Sequence, residues 1–162
     1  MTHFATMPSP VGELTIAADD LGITSVGFPG ELSFPGELST PGDAAASPLV
    51  REAVRQLRAY FAGHLTRFDL PLNPSGTAFQ KAVWRALCAV PHGATASYGD
   101  IAAAVGKPKG ARAVGLASGR NPIAILVPCH RIIGRDGSLT GYGGGLDRKR
   151  WLLDHERRPG PT

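Results

Sequence analysis

Cysteine is scarce in this chain: 162 residues contain two, Cys88 and Cys129. Two cysteines cannot build the disulfide framework that staples small secreted domains. Long apolar runs are missing as well, and none approaches the roughly 20 residues that cross a bilayer. Residues 1–7 lack the basic stretch and apolar core of a secretory signal. These absences exclude a membrane span and favour the cytoplasm, where a thiol stays reduced and free to react. What is present fits a folded protein: 43% hydrophobic and 19% charged residues are too balanced for a disordered chain. The length allows one ordinary domain or two small ones.

Charge is unevenly placed. Residues 1–72 carry four Lys/Arg against eight Asp/Glu, whereas residues 73–162 carry thirteen against five. A basic C-terminal half suits a docked polyanion, although a solvated basic face would give the same count.

The elements follow a simple order. His3–Met7, Val11–Ala18 and Ile23–Phe28 read as strands of an antiparallel meander, with 19–22 as a turn. The hexapeptide Phe-Pro-Gly-Glu-Leu-Ser then occurs twice, at 28–33 and 34–39, too few copies for a solenoid and better suited to a loop. Ser47-Pro48 caps a helix whose apolar face is Val50, Val54, Leu57 and Phe61, ending near Gly63. Residues 68–72 fit another short strand, and the linker at 73–76 marks a boundary between domains 1–72 and 73–162. Thr77 and Gln80 have capping-box spacing, and the helix they open extends towards Pro91. Ser97 opens a short helix that Gly106 ends. Residues 107–110 connect it to 111–118, giving helix-turn-helix proportions. Ile123–Val127 is an unbroken apolar run expected to be buried, a Gly-rich loop covers 134–145, and a last helix spans about Leu146 to Glu156. The fold class is α/β: a small N-terminal antiparallel sheet with a helix, then a mostly helical, winged-helix-like domain.

Chemistry concentrates at 127–133, where Pro128, Cys129, His130 and Arg131 are consecutive. A cysteine attacks as its thiolate, and adjacent cationic or proton-accepting groups favour that form. Glu156 in the last helical turn opposes the helix dipole, which points to a tertiary partner. Cys88 and His92 do not make a metal pair, because Pro91 breaks the helical spacing and no other ligands lie near. Neither a metal nor a cofactor is expected. Trp84 and Trp151 read as core or domain-interface residues.

The run Pro128-Cys129-His130-Arg131, with Asn121-Pro122 before it and Gly141-Tyr142-Gly143-Gly144-Gly145-Leu146 after it, resembles the O6-alkylguanine-DNA alkyltransferase family. The likeness continues upstream through Ser97-Tyr98-Gly99 and residues 111–115, covering roughly 77–157. It implies DNA repair by one irreversible transfer of the alkyl group from O6-alkylguanine in duplex DNA to Cys129. His130 would accept the thiol proton through a water, with Glu156 orienting the imidazole. Asn121 would stabilise the turn between recognition helix and acceptor. Arg112 would fill the space left by a flipped base, Tyr98 would crowd the 3′ phosphate, and the helix carrying Ala111 and Gly115 would enter the minor groove. Tyr142, Gly143 and Gly144 would wall the guanine pocket. Many members carry a serine where Gly143 stands, so here only a backbone N–H could serve O6. Lys107, Lys109, Arg120 and Arg135 are candidate phosphate contacts, while Arg148, Lys149 and Arg150 suit a solvated helix start; charge count alone does not separate them. His155 is expected to be a spectator. The implied partner is double-stranded DNA, with no membrane and no obligate protein partner; cooperative self-assembly on DNA stays open.

Three rivals are weaker. A lesion binder of alkyltransferase-like type would lack the acceptor cysteine. A thiol hydrolase would have no use for Arg112 and Tyr98. A transcription regulator would need a further methyl-sensing domain.

Overall fold

The structure, a computed structural model, describes residues 3–28 and 47–158. Apart from Phe28, the doubled hexapeptide lies outside the described residues. The chain divides into two compact units, the first running to Ser75 and the second spanning Gly76–Arg158.

In the first unit β1 (His3–Met7), β2 (Leu14–Ala18) and β3 (Ile23–Gly27) form an antiparallel sheet in the order β1-β2-β3. β2 is shorter than the expected 11–18, because Ser9–Gly12 closes a turn in which the Gly12 N–H reaches the Ser9 carbonyl at 3.1 Å. The expected strand at 68–72 reduces to one bridge, Leu72 beside Ile23. Helix α1 (Pro48–Phe61) begins as its residues dictate, with Ser47 accepting from the Val50 N–H and proline at its start. It packs Val50, Ala53, Leu57 and Tyr60 inward, against a sheet that buries Leu14, Ile16, Ile23 and Val26. Gln56 ties α1 to the returning chain through two hydrogen bonds with the Asp69 backbone, at 2.9 and 3.0 Å.

The second unit is built from α2 (Ala78–Cys88), α3 (Tyr98–Ala104), α4 (Ala111–Gly119) and α5 (Leu146–Arg157). The expected capping box of Thr77 with Gln80 forms, and a second one, Ser97 with Asp100, opens α3. Trp84 of α2 is buried, and its indole N–H donates to the Ala117 carbonyl of α4 at 2.9 Å, locking those helices together. β4 (Ala96–Ser97) and β5 (Ile132–Ile133) form a two-residue parallel pairing. It clamps the start of α3, and hence Tyr98, beside the strand that leaves the Cys129 segment. Among the described residues no helix is long and apolar enough to cross a membrane.

Candidate active site

Ile123–Val127 is buried as expected, but it is folded back on itself, with Ala124 bridged to Val127. The Leu126 N–H reaches the Ala124 carbonyl at 2.8 Å, and the residue between them, Ile125, sits at φ 72°. A β-branched residue there is a strained outlier. The next turn has the opposite hand: Pro128, at φ −82° and ψ 62°, lets the Cys129 N–H reach the Val127 carbonyl at 2.8 Å. Cys129–Arg131 then forms one 3-10 turn.

Asn121 braces this double turn. Its amide oxygen accepts from the Ile123 N–H at 2.9 Å, and its amide nitrogen donates to the Val127 carbonyl at 2.9 Å and to the Cys129 Sγ at 3.2 Å. An N–H aimed at the sulfur favours the thiolate over the thiol.

His130 is fully buried, and its Nε2 lies 2.7 Å from Glu156 Oε2. Burial pushes the imidazole towards its neutral form; the Glu156 contact opposes that shift without reversing it. With Nε2 on the carboxylate, Nδ1 is left bare, and it has no hydrogen-bond partner. Glu156 also receives Arg131, with Nε 2.7 Å from Oε1 and a terminal nitrogen 3.0 Å from Oε2. The other terminal nitrogen of Arg131 donates to the Val90 carbonyl at 2.7 Å. Asn121 therefore touches the Cys129 sulfur, and His130, the next residue in the chain, is held by Glu156.

Cys129 is 8% exposed, and it opens onto a cleft of about 650 Å³. Of the expected residues, Tyr98, Ala111, Arg112, Gly115, Tyr142 and Gly143 line this cleft with it. Arg120 and Gly144 do not. Arg120 is exposed at the end of α4, and the Gly144 carbonyl accepts from Arg148 at 3.1 Å. Gly115 faces the Tyr98 ring, where an added Cβ would lie 3.5 Å from the nearest ring carbon. Internal packing would accept that methyl.

Residues 78–158 match the DNA binding domain of 6-O-methylguanine DNA methyltransferase, and residues 2–74 match that protein's ribonuclease-like domain. A methylated-DNA–protein-cysteine methyltransferase from Mycobacterium bovis is 51% identical over 162 residues, covering 100% of this chain and 96% of the relative. The chain belongs to the 6-O-methylguanine DNA methyltransferase family. A namesake from Methanosarcina acetivorans is 49% identical over 95% of this chain and 97% of its own length. Among solved structures, Mycobacterium tuberculosis OGT in complex with DNA has a TM-score of 0.87 at 50% identity, covering 96% of this chain and 92% of that one. The alkyltransferase resemblance and the α/β fold class read from the residues both hold.

Other residues of this family member escaped sequence reasoning. Lys149 is not solvated: it is fully buried, and its ammonium donates to the Thr140 carbonyl at 3.1 Å. Burial lowers its pKa, and the charge of Cys129 is the influence that opposes the shift. The Thr140 hydroxyl is hydrogen-bonded to the Tyr98 hydroxyl, so one cleft residue ties the Gly-rich loop to both α3 and α5. Leu116, 66% exposed, and Ser118 also line the cleft; exposure belongs to the fold, so the residues alone carried no signal for either. His155 is buried and stacks on Trp151 with ring centroids 4.8 Å apart. Among the described residues no three His, Cys, Asp or Glu side chains group as metal ligands.

Proposed function

We propose that this protein repairs DNA by moving the alkyl group of O6-alkylguanine, within a duplex, onto the sulfur of Cys129, once per molecule. The observation that carries the reading is a single one. A cysteine with an amide N–H at 3.2 Å from its sulfur opens onto a cleft walled by the Arg112-bearing helix.

The second unit performs both docking and chemistry. α4 enters the minor groove with its bare Gly115 face, and Arg112 takes the place of the extruded nucleotide. Tyr98 stands at the neighbouring phosphate, held by the β4–β5 pairing and by Thr140. The flipped guanine lies against Tyr142 and Gly143, whose backbone N–H serves O6.

His130 takes the Cys129 proton through a water at Nδ1, while Glu156 holds the imidazole from Nε2. Asn121 stabilises the sulfur anion. The sulfur attacks the alkyl carbon; the S–C bond forms as the C–O6 bond breaks, and its electron pair stays on the guanine, which regains a proton. The thioether product is a poor leaving group, so the protein is consumed. A reducing cytoplasm keeps the acceptor ready.

Titrating a fixed amount of O6-methylguanine duplex with protein tests this. Repaired guanine should rise in step with protein and stop at one per molecule. Continued turnover, or no repair at all, would overturn it.

A further inference from the structure

Glu156 holds two partners, one a cation and one an imidazole. His130 and Arg131 both press on one carboxylate, and all three groups are buried. The fork fixes the carboxylate in one plane, and the Val90 carbonyl fixes the fork from behind. The charged and titratable groups around the imidazole are Glu156 and Lys149 from α5, Arg131 on its own turn, and the neighbouring Cys129. His92 senses the same carboxylate and guanidinium from farther out, with His155 beside them.

We propose that Arg131 is a positioning residue of this reaction: it neutralises and orients Glu156 so that His130 stands as an uncharged base until the Cys129 proton arrives. The inference rests on the alkyl-transfer reading given above. Its logic is charge balance in a dry site. Arg131 and Glu156 already cancel, so a proton taken from solvent would leave an unmatched buried cation on His130. A proton taken from Cys129 is different, because the S–H bond breaks as the N–H bond forms at Nδ1, and the sulfur acquires the matching negative charge. Without Arg131, Glu156 and His130 would become an ion pair at neutral pH. The imidazolium could then accept nothing.

Two measurements test this separately from repair itself. In the wild-type protein, nitrogen NMR of labelled histidine should show His130 neutral at pH 7, with its proton on Nε2 and Nδ1 bare. An imidazolium at pH 7 would overturn the proposal even if alkyl transfer proceeds normally. The second measurement is the single-turnover rate of alkyl transfer against pH for Arg131→Met and Arg131→Lys. Arg131→Met should move the acid limb up by at least about one pH unit, roughly a tenfold loss at pH values below it. Arg131→Lys keeps the charge and should leave the limb in place with a lower plateau. A uniform loss across all pH values in a folded Arg131→Met protein would overturn it, as would a wild-type profile. If Arg131→Met does not fold, an acid limb displaced in Arg131→Lys, or an imidazolium in the wild type, still refutes it.

Discussion

The two units bury different chemistry. Among the described residues, the first buries Ser25, Ser47 and Gln56 as its polar groups, all of them uncharged at neutral pH. The second buries His130, Arg131, Lys149, His155 and Glu156. Sequestering charge costs several kcal/mol per ion even after relaxation, and an ion pair recovers that only with good geometry. The first unit thus has the interior of a protein that only needs to fold. The second concentrates its electrostatic cost around one sulfur, and such concentration marks a working site.

Removing the sulfur should break the contrast most completely. Cys129→Ser should abolish alkyl transfer, a loss of more than about 10³-fold, while affinity for lesion-bearing duplex by gel shift changes little. Glu156→Gln comes next. Alkyl transfer should slow by about 10²- to 10⁴-fold, and urea unfolding should show about 3–5 kcal/mol lost, because Arg131 keeps a buried charge without its partner.

Arg112→Ala should slow repair of a duplex by about 10- to 100-fold, since the vacated stack costs a few kcal/mol to hold open. The same variant should react normally with a free O6-alkylated guanine base, which needs no extrusion. Lys149→Met should separate stability from activity. Removing a buried ammonium should leave thermal stability equal or higher, while the rate profile moves to higher pH because the sulfur anion has lost a nearby cation.

Stability against pH sharpens the comparison further. His130 has a folded pKa below its unfolded value of about 6.5. The unfolded chain therefore binds more protons, and stability should fall as pH drops below about 6.5. A chemical-denaturation series from pH 8 to 5 reads this directly. The smallest effect belongs to Gly115→Ala, which should raise stability by about 0.4–1 kcal/mol while weakening DNA binding measured by fluorescence anisotropy.

Local chemistry explains what could be read from the chain beforehand. Ser47-Pro48, Thr77 with Gln80, and Ser97 with Asp100 cap helices through contacts three residues apart, so these starts were legible. Cys129 and His130 were legible because they adjoin in one motif, and Glu156 because a carboxylate in the last helical turn opposes the helix dipole. Arg131 stands within that motif, but its role is not legible there, since its fork on Glu156 depends on a partner 25 residues away. Lys149 was misjudged for the same reason: three successive basic residues on a helix look solvated until the Thr140 loop folds over one of them. The strained turn at Ile125 had no signal at all, because an isoleucine at positive φ contradicts its own propensity.

Peptide-level mass spectrometry after incubation with an O6-methylguanine duplex tests the central claim most directly. The account predicts one methyl group on the peptide holding Cys129, stoichiometric with the protein and unchanged by further substrate, with the exposed Cys88 untouched. An unmodified Cys129 in a protein that binds the duplex tightly would contradict it, as would methylation at Cys88 instead.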